Sequence, residues 1–600
     1  MLCCLALATL PLSSCQEKAD LESKKQTVWY VDPVAGDDAF SGNAESRPWR
    51  SFQPLEKVLL SPGDEVRIAA GLHSRSLVPR ARGTSQAPAT IRFLPGLHEF
   101  SAEGAVRRAT FVSNSCTTLQ TPMPIGILVV DCEHLQILGA EDGPQSTLLM
   151  GGRMTHFIND HSRSISYRHL VFDLKRPTVS EFRVVASGGQ WADIRIAQGS
   201  SHELKDNRIV WTGDIGGGQG LLQQAIPGEG RAWRTKASNN PLTQASRIES
   251  LNENHYRLHF DSTAAPQAGH HFQWRHVERD VVGAHNTRCH DLRFSDCTFH
   301  AFAGMGIISQ FTDTIHLERV KVVPPPDTLR TCPAWADVFH FSGCRGQITV
   351  KDCVVSGTQD DMVNVHGTYL RIIGQHGENQ LLLRFMHPQT YGFAAFQPGD
   401  EVAVINHKTL RELADNPRRN VSAIERVSDQ DWLLTLDGPA PRFLDNDVID
   451  NLSWHPEITV SGCRVDMNSC RGLLLSSRGR TLVEHNTFHR CRMAAILMSS
   501  DAGKWFESGP VRDVVIRHNT FVGCGIEIDP NVSEGVEPVH ENIRIIDNTF
   551  REGAGIHGHH AAGLVISGNR TSEGKLPVKL DPASTRAVIT NNRAGLKVEE

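Results

Sequence analysis

One phrase recurs along the chain and constrains its fold more than any other feature: alternating β-branched residues, two polar residues, then Asn or Cys. It reads LKDN ending at Asn207, FSDC at Cys297, VKDC at Cys353 and VSGC at Cys463. It returns as VEHN at Asn486, IRHN at Asn519, IIDN at Asn548, ISGN at Asn569 and TNN at Asn592, with LERV at Val320 in the same register. From Cys463 the steps are 23, 33, 29, 21 and 23 residues, and Cys297 to Val320 is again 23. A period of about 22 residues with period-2 alternation inside each unit predicts a parallel β-helix, one rung per period, with equivalent positions stacked about 4.8 Å apart. Unrelated β-sandwiches would not hold one phrase in register, and leucine-rich repeats would need a regular Leu spacing. The Asn or Cys should line an internal corner, Asn bonding neighbouring backbone and Cys packing as a small hydrophobe. Asn486, Asn519 and Asn548, each opening an Asn-Thr-Phe triplet, should share one column.

The fold class is therefore all-β, a right-handed parallel β-helix. The opening segment YVDPVAGDDAFSG, followed by RPWRSFQPLEKVL, predicts a short helix across 52–60 that caps the first rung. The register breaks after Asn207 and again after Cys353, and both surpluses read as strands separated by turns. We expect two small β-barrel-like inserts. The boundaries that follow are a leader at 1–14, a tether at 15–27, and β-helix over 28–210. An insert at 211–284, β-helix at 285–368, a second insert at 369–455 and β-helix over 456–600 complete the chain. GDIGGGQG, in the first insert, lacks the Gly-Lys-Ser/Thr and the βαβ setting of a phosphate loop.

The net charge of −6 over 600 residues, with no long basic run, argues against a nucleic-acid partner. No 18-residue apolar stretch predicts a membrane-spanning helix. The chain opens MLCCLALATLPLSSC, an apolar run ending in small residues, which reads as a signal peptide. Leu-Ser-Ser-Cys resembles a bacterial lipoprotein box. Cys15 would carry the lipid, placing the protein in the cell envelope on a bacterial membrane, outer membrane or surface favoured; a secreted or periplasmic protein is the alternative. Of fourteen cysteines, eleven remain once Cys3, Cys4 and Cys15 are set aside, an odd number without C-x-x-C. No metal site, disulfide framework or cofactor is expected from them.

Chemistry concentrates in ADVFHFSGCRGQITVKDCVVSGTQDDMVNVHG, residues 336–367. Asp337 and Asp360 stand 23 apart, one short rung, and Asp361 is adjacent. Stacked carboxylates repel, so one holds its proton to higher pH, as a general acid must, while the others can activate water. Turn aspartates at rung corners and a calcium site remain open as alternatives. Asn364 and His366 follow on the same segment and suit sugar hydroxyls.

These phrases resemble glycoside hydrolase family 110, the bacterial exo-α-1,3-galactosidases that act on the blood-group B determinant. The resemblance is carried by GTQDDMVNVHG (357–367), ADVFHFSGCRG (336–346), RGLLLSSRGRTLVEHNTF (471–488) and KWFESGPVRDVVIRHNTF (504–521). It implies an inverting galactosidase acting on galactose-terminated glycans and needing no cofactor. Asp360 would be the general acid, with Asp361 and Asp337 holding the attacking water; which of these two is the base stays open. Inverting sites separate acid and base by about 6.5–9.5 Å, retaining ones by about 5–5.5 Å, and direct stacking at one rung is nearer the second.

Trp505 is a candidate stacking platform and Glu507 a hydroxyl acceptor, with Arg478 either on a sugar hydroxyl or on a buried acid. His557, His559 and His560 read as a solvated turn. A polysaccharide lyase and a non-catalytic surface glycan binder are the competing classes. An inserted barrel could also pack against a second chain.

Overall fold

The computed structural model describes residues 26–594 except 116–121, 214–220, 227–230, 235–239, 262–264, 276–278, 536 and 573, with backbone alone at 221–226 and 231–234. Cys15 lies outside the described residues, as does most of GDIGGGQG. Three long parallel sheets of 15, 13 and 13 strands run the length of the molecule, each rung giving a strand to each sheet. This is a parallel β-helix.

The recurring phrase has a local cause. The residue before the Asn or Cys adopts left-handed backbone at every rung, with φ of 55° at Asp296, 53° at Asp352, 57° at His485, 55° at His518 and 54° at Asp547. A single left-handed residue turns the chain from the first sheet into the second, which is why Asp, Gly, Asn or His stands there. The next residue then points inward. Asn486, Asn519, Asn548 and Asn569 are at most 1 % exposed and form one column. Each amide nitrogen donates to the next Asn oxygen at 2.9, 3.0, 3.0 and 3.0 Å, the last to Asn592. Each Asn Oδ1 also accepts the backbone N–H one rung earlier, as Asn519 does from Asn486 at 2.9 Å. Every amide is satisfied without water. Toward the N-terminus Cys463, Cys353 and Cys297 carry on the corner with thiols donating to carbonyls at 3.5, 3.6 and 3.5 Å. The Phe of each Asn-Thr-Phe stacks in the adjoining sheet, Phe488 on Phe521 at 5.4 Å and Phe521 on Phe550 at 4.9 Å.

Asn207 is not in this column. It sits with Asp206 at φ of 60° and 47° in the tight turn between strands His202–Lys205 and Arg208–Trp211. Two consecutive left-handed residues also make a two-residue hairpin turn, so the same Asp-Asn pair serves a different structure. The first insert begins well before 211. Its seven-stranded antiparallel sheet draws strands from 179–275, including Val179–Ser187 and Trp191–Ile196. Those two strands alternate as β-helix strands do, which hides the boundary. The helix resumes at Val282–Thr287. The second insert is a closed six-stranded barrel over 370–451. The expected capping helix is one 3-10 turn, Pro54–Lys57, and Leu59–Leu60 is already strand.

Removing one rung of the column tests its weight. Asn519→Ala leaves the backbone N–H and side-chain amide of Asn486 without their acceptor, and buried unpaired donors cost about 1–3 kcal/mol each. We expect a loss of roughly 3 kcal/mol in denaturant unfolding; a loss below about 1 kcal/mol would mean the column is incidental.

Candidate active site

The site lies on the outer face of the third sheet, where three strands begin: Phe339–Ser342, Val363–Thr368 and Arg471–Ser476. Phe339 pairs with Val363, and Val363 with Leu473. Two residues upstream, that register puts Asp337, Asp361 and Arg471 on successive rungs. The backbone confirms it, with Val338 N–H donating to Asp361 O at 2.8 Å. The stacked pair is therefore Asp337 and Asp361, 24 apart, and Asp360 stands one residue outward. The expected 23-residue stack of Asp337 on Asp360 is corrected by one position, because the first-sheet strand Arg345–Lys351 between them carries a bulge of one extra residue, its pairing shifting between Asp313–Arg345 and Ile315–Ile348.

All three aspartates are buried, with exposures of 2, 4 and 0 % for Asp337, Asp360 and Asp361. Arg471 grips Asp361 through both oxygens, Nε to Oδ1 and Nη2 to Oδ2 at 2.8 Å each. Burial and the neighbouring Asp360 and Asp337 push Asp361 up to about 8 against the pull of that guanidinium. Arg279 binds Asp360 Oδ2. Asp337 Oδ2 accepts from His340 Nδ1 at 2.8 Å and from Asn364 Nδ2 at 3.2 Å. Burial opposes the Asp337 charge, but the His340 hydrogen bond and the Arg279 charge outweigh it and hold the carboxyl well below its ordinary range.

Along these strands Phe339, Phe341, Val363 and Val365 point into the core. Period-2 alternation therefore turns His340, Asn364 and His366 outward, where other parts of the chain cover them. Asn114 donates to Glu507 Oε1 at 2.8 Å, and Asn364 reaches the same oxygen at 3.4 Å. Trp505 stacks on His387 of the barrel insert, centroids 4.1 Å apart, with Arg279 5.7 Å from its ring. The barrel also supplies Thr390, which donates to Asn114 Oδ1 at 2.9 Å. The first insert braces the approach to the aspartates. Gln273 donates to Thr331 Oγ1 at 2.7 Å and accepts from Gln359 at 2.8 Å, tying together the segments that lead to Asp337 and Asp360.

The structure thus gathers Asp337, Asp360, Asp361, Asn364, His366, Trp505 and Glu507. Arg478 stands apart. It pairs with Asp450 of the barrel at 2.9 Å and fixes that insert to the helix, which answers its two alternatives in favour of the buried acid. His366 cannot bind a sugar hydroxyl as expected, because both ring nitrogens are taken, Nδ1 by Gly367 O at 2.6 Å and Nε2 by His340 at 3.1 Å. Asn364 keeps a free buried acceptor, Oδ1. His559 and His560 come within 3.7 and 3.9 Å of the Asp581 carboxylate. Arg279, Arg471, His340 and Asn114 were not found from the sequence. His340 was open to the alternation argument, and Arg471 to carrying the register across the barrel. Asp360, Asp361 and Cys470 place donor atoms within 4.8 Å of one another, where a cation would compete with both arginines.

Two family models match the chain: GLAA-B beta-barrel domain II over residues 380–449 and the right-handed beta helix region over 459–595. Alpha-1,3-galactosidase A of Akkermansia muciniphila is 34 % identical over 569 residues, covering 92 % of this chain and 93 % of that protein. The chain belongs to the alpha-1,3-galactosidase family. Alpha-1,3-galactosidase A of Bacteroides fragilis is 32 % identical, covering 80 % of this chain and 81 % of its own. The form B relative of Bacteroides thetaiotaomicron is 28 % identical over 77 % of this chain and 76 % of its own.

The electrostatics of this galactosidase-family site give a pH test. A carboxyl raised to about 8 in the folded state, from 3.8, makes the folded protein bind a proton more tightly than the unfolded chain. That contribution is present at low pH and fades as pH rises through the window. The melting temperature of Asp361→Asn should therefore gain on wild type between pH 5 and pH 8, and a constant or shrinking difference would place the proton elsewhere.

Proposed function

We propose that the protein is an inverting exo-α-1,3-galactosidase of glycoside hydrolase family 110 that removes terminal α-1,3-linked galactose from blood-group B-type glycans. The observation that carries this is the column Asp337–Asp361–Arg471 with Asp360 beside it, in a chain whose relatives are named for that linkage. Burial together with the repulsion among the three carboxylates favours a proton in the cluster. Asp360 and Asp361 are adjacent, with carboxylate oxygens within 4.8 Å of each other. Arg471 occupies both oxygens of Asp361, which leaves Asp360 to deliver the proton once the leaving oxygen of the glycan takes the place of the Arg279 guanidinium.

Asp337 is the base. Its two hydrogen bonds fall on Oδ2, leaving Oδ1 for water. Carboxylate oxygens of Asp360 and Asp361 come within 4.8 Å, too close for an inverting pair, which favours Asp337 over Asp361. In the step, the water oxygen bonds to C1 and its proton passes to Asp337. The glycosidic C1–O bond breaks, and the departing oxygen takes the proton of Asp360. Trp505 offers its face to galactose; Asn364 Oδ1 and Glu507 accept hydroxyls.

Asp360→Asn and Asp337→Asn should each lower kcat/KM on a B-type trisaccharide about 10²–10⁴-fold. An activated leaving group, which needs no protonation, should restore rate at Asp360→Asn and not at Asp337→Asn. Near-native rates in both variants would make the cluster structural. Activity should survive EDTA and produce no unsaturated uronate, which separates the lyase; the absence of any turnover would favour the glycan binder.

We further propose that Cys15 carries the lipid anchor of an envelope protein. Wild type should label with palmitate and sediment with membranes, whereas Cys15→Ser should do neither; a Cys15→Ser protein that still does both would refute the anchor.

A further inference from the structure

We propose that His340 and His366 are positioning residues for Asp337, and that His340 is held as an imidazolium between them. The inference rests on the galactosidase function only for its kinetic consequence; the protonation state follows from geometry. His340, His366 and Asp337 are each at most 2 % exposed, so bulk solvent does not compete for the contacts between them.

Three contacts form a chain. His366 Nδ1 lies 2.6 Å from Gly367 O, and a carbonyl can only accept, so Nδ1 carries a proton. His366 Nε2 lies 3.1 Å from His340 Nε2, and one of the two must donate. His340 Nδ1 lies 2.8 Å from Asp337 Oδ2, and again one must donate. Three contacts need three protons, while two neutral imidazoles bring two. The third belongs to Asp337 or to a ring. Imidazole, with a reference pKa of about 6.5, outbids a carboxyl of about 3.9. Burial disfavours charge on His366, whereas His340 faces the carboxylate. The extra proton therefore rests on His340.

The consequence falls on the base. An imidazolium and an amide on Oδ2 keep Asp337 ionised and aim Oδ1 outward. The other charged groups facing the chain are Asp361 and Asp360 on the neighbouring rung, Arg279 near Asp337, Arg471 behind Asp361, and Glu507 at 3.7 Å from His366 Nε2. The arginines do not titrate in the working range. The Asp360–Asp361 pair and Glu507 do not depend on residue 340 for a hydrogen bond, so substitution there isolates the relay.

His340→Asn places a neutral amide donor where Nδ1 stands. Losing a cation next to a carboxylate raises its pKa by about 1–3 units, so the acid limb of kcat/KM should move to higher pH by that amount. A merely structural loss would scale the whole profile without moving it. His340→Leu, with no donor, should fall below His340→Asn at every pH. Histidine-¹⁵N NMR of the intact wild-type protein at pH 8 should contain a doubly protonated ring that vanishes in His340→Asn and shifts in His366→Gln. A ring at 340 that is neutral at pH 8, or an acid limb in His340→Asn that superimposes on wild type, overturns the proposal. If wild type cleaves no α-galactoside, the proposed function fails, and the NMR result still decides the relay.

Discussion

The structure depends on one constraint: each rung must begin its next strand at the same place. The left-handed residue at the corner and the Asn or Cys behind it enforce that register, since an amide that slips by one residue loses four hydrogen bonds in a dry interior. The geometry of the candidate site inherits it. Asp337, Asp361 and Arg471 meet because three successive strands of the third sheet start in phase, although 110 residues separate the last two. The barrel is inserted between them without disturbing the pairing of Val363 with Leu473.

A β-helix face carrying His340, Asn364 and His366 would ordinarily be wet. Here both inserts and the segment around Asn114 cover it, turning a polar strand face into a dry site. Burial is what makes the aspartates chemically distinct. Without it, Asp361 would not be driven upward by its neighbours, and the hydrogen bonds on Asp337 Oδ2 would compete with water. Arg279 and Arg471 prevent three buried carboxylates from forcing the site apart. Arg478, outside the cluster, does the corresponding work at the joint between barrel and helix by neutralising Asp450.

Much of this was legible in the chain. The Asn486, Asn519 and Asn548 column followed from spacing alone, because a repeat writes its geometry into the sequence. The aspartates were visible as a dense acidic phrase. What escaped notice has physical reasons. Asp206 and Asn207 obey a turn rule shared by corners and hairpins. The strands Val179–Ser187 and Trp191–Ile196 alternate as rungs do, and only their antiparallel partners reveal the insert. Arg279 reaches Asp360 from a segment whose local pattern carries no signal. His366 bears the right chemistry for a sugar, yet its two nitrogens are committed to Gly367 and His340, a fact that belongs to three dimensions.

The central claim is that Asp337 activates water on one face of the sugar while Asp360 protonates the departing oxygen on the other. The anomeric configuration of the first-formed product tests it most directly. Proton NMR recorded within the first turnovers on a terminal α-1,3-galactoside should show β-galactose appearing first and mutarotating to α. α-Galactose as the initial product would mean a covalent intermediate and two displacements, and would contradict the assignment of Asp337 as a base acting through water.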